Sequence, residues 1–161
     1  MITNSRAAFE IRKSRIHGRG LFALVRLAKG TRIEEYSGER ISRQEANKRY
    51  AHPSYRRRTT YLFILDRNTV IDATHSTSVA RLINHSCSPN CQSVQDGSRI
   101  FIEAIQTISP GTEITYDYRL DVEHDTERML KKLYGCRCGS AACRGLICRR
   151  PKRRRSAGKA K

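Results

Sequence analysis

Hydrophobic and polar positions alternate in short runs along most of the chain, and turn residues divide the runs. Ala8–Ser14 ("AFEIRKS") alternates, and Gly20–Val25 ("GLFALV") follows the glycine-rich "HGRG". Thr31–Ser42 ("TRIEEYSGERIS") predicts two strands around Gly38, and "YLFILD" (61–66) and "TVIDA" (69–73) predict two more, because a period of two places one strand face on a core. Asp96-Gly97 is a hairpin signal joining "CQSVQ" to "RIFIEAIQT". Pro110-Gly111 turns the chain into "TEITYDY" (112–118), a further alternating strand. Two segments read as helices. In Ser42–Ala51, Ser42 caps and Glu45 completes a capping box; the other is Asp125–Tyr134. The cysteine-rich end reads as loop. Many short strands and few helices predict a mostly β domain.

A chain of 161 residues can bury one modest core. With 38% hydrophobic residues, 7% aromatic and no Trp, that core is small. Charge changes the picture more. The formal net charge is +17 and it is uneven: Arg149–Lys161 holds eight Lys and Arg among thirteen residues and no acid. The remaining 24 basic and 15 acidic residues give +9 for the rest. The final segment has too little apolar surface to pack, so it is expected to be disordered when free. Such a block either keeps the protein soluble or meets a polyanion, and DNA is the expected partner. Met1–Arg15 has no apolar run of the signal-peptide kind, and no stretch approaches membrane-spanning length. The six cysteines are therefore expected in an intracellular, reducing compartment, where metal binding or free thiols outrank disulfides.

Cys136, Cys138 and Cys143 form "CRCGSAAC", a C-x-C-x4-C cluster. Structural zinc takes four soft or imidazole ligands in a tetrahedron, and this cluster supplies three. By spacing alone the fourth is open among Cys87, Cys91, Cys148 and His85. A redox dithiol is disfavoured because the C-x-x-C spacing is missing.

Four motifs, in order, resemble those of SET-domain protein lysine methyltransferases, most closely the trithorax and SET1 type. "SRIHGRGLFA" is similar to the glycine-rich cofactor loop and "EYSGERIS" to the strand pair after it. "ARLINHSCSPNC" is similar to the R-x-x-N-H-S-C-x-P-N signature, and "GTEITYDY" with "CRCGSAACRGLI" to the catalytic strand and the post-SET zinc segment. The resemblance implies a SET (β-clip) fold, in which the signature segment and the catalytic strand pass through each other as a pseudoknot. It implies a lead-in at 1–10, a SET domain at 11–120, a zinc-binding post-SET segment at 121–148 and the basic tail at 149–161. With so little ahead of the first motif, targeting is expected from the tail or from a partner.

The resemblance also implies roles. S-adenosylmethionine would be the methyl donor, and Cys87 would join Cys136, Cys138 and Cys143 on a structural zinc, leaving Cys91 and Cys148 spare. Tyr118 would be the catalytic tyrosine. Tyr116 holds a position occupied by Phe or Tyr, where Tyr leans toward monomethyl-lysine. Tyr36 and Tyr61 would line the lysine channel, Tyr61 also reaching the cofactor. His17, Gly18, Arg19 and Gly20 would flank the cofactor, Asn84 and His85 would hold its adenine and amino end, Arg81 would support them, and Leu146 would cap the adenine. His52, His75 and His124 have no motif partner and read as surface residues. The substrate would be a lysine of a histone or a nucleoid protein, met in a nucleus or a bacterial nucleoid. The acidic run Asp121, Glu123, Asp125 and Glu127 is expected to border an acidic peptide groove. Two further classes stand against this reading: a basic nucleic-acid-binding protein with an inactive SET fold, and a redox or zinc-storage protein.

Overall fold

In the computed structural model, which describes residues 8–50, 61–120 and 126–149, the alternating runs become short strands in three sheets. β1 (Phe9–Lys13) and β2 (Arg19–Ala23) pair antiparallel across the glycine-rich turn. β3 (Arg32–Glu35) and β4 (Glu39–Ser42) part at Gly38 into different sheets. β4 joins β5 (Leu62–Ile64) and β6 (Thr69–Asp72) in the order β4-β6-β5.

The third sheet carries the site. Its strands are β7 (Asn84–His85), β8 (Cys91–Asp96), β9 (Arg99–Ala104) and β10 (Thr115–Tyr116) beside β3, in the order β3-β9-β8-β10-β7. β8 and β9 are the expected hairpin, with its turn one residue late. Asp96 pairs with Arg99, and Gly97 turns with φ +58°, a region where a side chain is strained.

β10 lies between β7 and β8, parallel to both: Tyr116 faces His85 on one side and Cys91 on the other. β7 and β8 follow one another in the chain, so the connection between them must cross over β10. This is the pseudoknot crossing that the resemblance implies. It also explains why the expected strand over 112–118 is only two residues long. Its first half pairs elsewhere, with Ala23 N–H donating to Thr112 O (3.0 Å) and Ile114 N–H to Leu21 O (2.8 Å) in β2. A strand that changes neighbours midway cannot keep one ladder. Asn90, buried at the end of the crossing, fills the gap: its Nδ2 donates to Glu113 O (2.8 Å) and its Oδ1 accepts from Thr115 N–H (2.9 Å).

Leu21, Ile83, Ile100, Ile102, Ile108 and Ile114 are almost wholly buried and fill the centre between the sheets. A 3-10 turn (Val79–Leu82), capped by Ser78, leads into β7. α1 (Arg43–Tyr50) starts where Ser42 Oγ accepts the Glu45 N–H at 3.0 Å. Only half of the expected capping box forms, because the Glu45 carboxylate turns to Arg49 instead (2.8 Å). α2 (Glu127–Tyr134), capped by Thr126, buries Leu130 against Leu146 and Cys148. The residues after Arg149, His52 and His124, and Asp121, Glu123 and Asp125 of the acidic run, lie outside the described residues. Glu127 pairs with Lys131 at 3.3 Å.

The double role of Asn90 gives the first prediction. Asn90→Ala leaves the Thr115 N–H and the Glu113 carbonyl without those partners, and equilibrium urea unfolding should show a loss of about 2–4 kcal/mol. A loss below about 1 kcal/mol would mean that the crossing is held elsewhere.

Candidate functional site

Three groups of side chains meet at β10. The first is aromatic. Tyr116 is buried, and the Tyr118 ring lies 4.9 Å from it and 5.3 Å from the His85 ring, centroid to centroid. The Tyr118 hydroxyl donates to Ile83 O at 2.8 Å. Tyr36, buried just past β3, packs against Phe63 at 5.3 Å. Tyr61 is half-buried before β5, with the Arg81 guanidinium 5.2 Å over its ring, and Arg81 is tied to Thr74 O (3.3 Å). Burial raises the Tyr118 pKa, and the nearby Tyr61 and Glu113 add to it. Burial raises Tyr36 in the same way, with Tyr118 and Tyr61 contributing, and Tyr116 through burial, Tyr118 and Tyr36. Tyr36, Tyr116 and Tyr118 are therefore held as neutral phenols, with Tyr61 beside them.

The second group is the turn between β1 and β2. Gly18 takes φ +49°, and a Cβ on Gly20 would come within 2.9 Å of the Glu113 carboxyl carbon. The His17 and Arg19 side chains are exposed, but their carbonyls accept from Asn84 Nδ2 at 3.1 Å each. Asn84 Nδ2 also donates to Glu113 Oε1 at 2.7 Å.

The third group is sulfur. The ligand atoms of Cys87, Cys136, Cys138 and Cys143 lie within 4.8 Å of one another and could hold a metal ion. Cys87 Sγ and Cys136 Sγ are 3.7 Å apart, close to the edge of about 3.8 Å that a tetrahedron with 2.3 Å zinc–sulfur bonds requires. Backbone N–H groups of Arg144 (3.3 Å), Cys138 (3.4 Å) and Gly145 (3.4 Å) point at the sulfurs of Cys87, Cys136 and Cys143. Cys91 and Cys148 lie elsewhere, both buried.

His85 joins the first and third groups. Its Nδ1 accepts the Tyr118 N–H at 3.2 Å, so the ring proton sits on Nε2, 3.4 Å from Cys87 Sγ. Burial lowers its pKa to about 4, against the pull of Asp117 and with help from Arg144, so the ring is neutral at pH 7. Asp117, between the two tyrosines, takes both guanidinium arms of Arg144 at 2.8 and 2.7 Å. An open cavity of ≈ 590 Å³ lies beside this pair, lined by Asp117, Arg119, Arg144, Leu146, Cys148 and Arg149. Leu146, itself buried, sets its wall on the cluster side, 3.9 Å from Cys87 Sγ through its carbonyl. Asn90, Glu113, Asp117 and Arg144 fall within the quoted motifs, but the resemblance assigned none of them a role, and their contacts appear only in the structure. Arg144 could have been suspected only from its place beside Cys143.

A family model described as "SET domain" matches residues 18–119. The chain is 40% identical over 142 residues to a protein of Emericella nidulans named "Histone-lysine N-methyltransferase, H3 lysine-4 specific". Proteins with the same name from Neurospora crassa and Saccharomyces cerevisiae are 41% and 42% identical. Each match covers 84% of this chain but only 11%, 10% and 13% of the relative, so the chain spans roughly a tenth of their length.

The sulfur geometry predicts which thiols matter. Purified protein should carry a single zinc ion by elemental analysis. Cys136→Ser or Cys143→Ser should lose it and lower the unfolding temperature, while Cys91→Ala and Cys148→Ala should keep it. Retention of zinc by both serine variants would contradict the four-sulfur site.

Proposed function

The chain belongs to the SET-domain family, and on that premise we propose that it is an S-adenosylmethionine-dependent protein-lysine N-methyltransferase acting on histone H3 or a histone-like DNA-bound protein. The identity to relatives named H3 lysine-4 specific, across 84% of this chain, carries the reading. Residues 11–120 would form the SET domain, 121–148 the zinc-binding post-SET segment, and 149–161 a basic segment that meets DNA.

Bound S-adenosylmethionine supplies an electrophilic methyl carbon on a cationic sulfur. His17, Gly18, Arg19, Gly20, Asn84, His85 and Leu146 would hold it between the glycine-rich turn and the cavity, with Tyr61 and Arg81 beside them. The lysine must arrive neutral, and from a reference pKa near 10.4 deprotonation at pH 7 costs about 4–5 kcal/mol. Walls made by Tyr36, Tyr61, Tyr116 and Tyr118 remove water from the ammonium, which lowers its pKa. Tyr118 is not the base. Its proton is committed to Ile83 O and its pKa is raised, so it remains a neutral phenol whose oxygen lone pairs can orient the reacting groups. Alignment then supplies much of the rate. The Tyr116 hydroxyl takes up room and can hold water beside the amine, which supports a stop at monomethyl-lysine. Cys87, Cys136, Cys138 and Cys143 would hold zinc as structure, closing the C-terminal segment over the site.

Incubation with S-adenosylmethionine and recombinant H3, followed by mass spectrometry, should find mainly monomethyl-lysine; an unmodified histone would refute the substrate. Tyr118→Phe removes an orienting group and should lower kcat by about tenfold or more, as misalignment of the reacting atoms does. Because the phenol stays protonated throughout, the rise of rate with pH belongs to the substrate lysine, and its midpoint should not move in Tyr118→Phe. A shifted midpoint would make Tyr118 the titrating group.

A further inference from the structure

Glu113 belongs to none of the recognised roles, yet it sits where the glycine-rich turn, β7 and the catalytic strand meet. Its backbone is fixed from both sides, opposite Phe22 of β2 and by the Asn90 amide on its carbonyl. Its half-buried carboxylate accepts a hydrogen bond from the Ser14 hydroxyl, with Ser14 Oγ 2.7 and 2.9 Å from its two oxygens. Among the described residues no cation forms an ion pair with it. Ser14, its proton committed, receives the N–H groups of Ile16 (2.9 Å) and His17 (3.4 Å), which shapes the turn from within.

The same carboxylate orders Asn84. Three acceptors surround the Asn84 Nδ2: His17 O and Arg19 O at 3.1 Å, and Glu113 Oε1 at 2.7 Å. The amide nitrogen has two protons, and the charged acceptor makes the shortest of the three bonds. A flipped amide would set its oxygen against all three acceptors, so the flip is closed off and Oδ1 is left on the other side as an acceptor only. An acceptor-only amide suits a cationic donor, and the amino-acid end of S-adenosylmethionine carries an ammonium.

We propose that Glu113 is a positioning residue for the cofactor: by holding Ser14 and the Asn84 amide together, it sets the turn and presents Asn84 as an acceptor to the ligand's ammonium. This rests on the methyl donor being S-adenosylmethionine.

Calorimetric titration of the full chain tests it with two ligands, S-adenosylmethionine and 5′-methylthioadenosine, which keeps the nucleoside and sulfur but lacks the amino-acid end. Glu113→Ala should weaken S-adenosylmethionine by about tenfold or more, as expected for losing a hydrogen bond to a charged group. It should leave 5′-methylthioadenosine within about twofold, since that ligand offers no ammonium to the acceptor. Glu113→Gln keeps an acceptor oxygen and should recover most of the affinity. Ser14→Ala removes one arm of the clamp and should show the same ligand selectivity to a smaller degree, which decides the matter if Glu113→Ala does not fold. Unchanged S-adenosylmethionine affinity, or a parallel loss for both ligands, would overturn the positioning role. A wild-type protein that binds 5′-methylthioadenosine but not S-adenosylmethionine would overturn it too. Failure of the wild type to bind either ligand would instead bring down the methyltransferase reading on which it rests.

Discussion

The placement of Thr115–Tyr116 between two strands that are consecutive in sequence is the constraint on which the rest depends. A two-residue strand has little pairing energy of its own, and its surroundings must satisfy its polar groups. β7 and β8 do so from either side, and the Asn90 side chain completes the entry. Alternation then sorts the chemistry. Successive residues of a strand point to opposite faces, so Asn84 serves the glycine-rich turn and Glu113 while its neighbour His85 serves Tyr118 and Cys87. One crossing therefore sets up two sites.

The thiol cluster closes the same crossing from the other end of the chain. Cys87 lies within the connection that passes over β10, and the three partner thiols come from the C-terminal segment. Arg144 ties the two regions twice, through its amide to Cys87 Sγ and through its guanidinium to Asp117, the residue between Tyr116 and Tyr118. A metal drawing these sulfurs together would also hold Asp117 and the tyrosine pair. The exposed half of that ion pair adds little stability in water, and its contribution is to geometry. The cavity beside it is lined by Asp117 and Arg144 as well, so cluster and cavity share a wall.

Much of this was legible in the sequence, for reasons that differ from residue to residue. The β8–β9 hairpin carries a Gly turn and alternating flanks, and the structure moves only its turn, by one residue. Cys136, Cys138 and Cys143 announce themselves by spacing, whereas spacing left the fourth ligand open; in the structure Cys87, and neither Cys91 nor Cys148, joins the other three sulfurs. The 112–118 strand was overestimated because alternation does not reveal that Thr112 and Ile114 pair with β2 before the chain enters β10. The crossing itself leaves no periodic signal; only the family resemblance pointed to it. Glu113 was invisible because an acid alternating with Ile and Thr looks like any solvent-facing strand residue, and its partners lie 29 and 99 residues away.

Hydrogen exchange read by mass spectrometry, on metal-loaded protein and again after chelation, tests most directly whether crossing and cluster are one unit. If they are, chelation exposes residues 84–91 and 115–118 together with 136–146. Exchange that rises in 136–146 alone, with the crossing still protected, would contradict the dependence of the site on its sulfur closure.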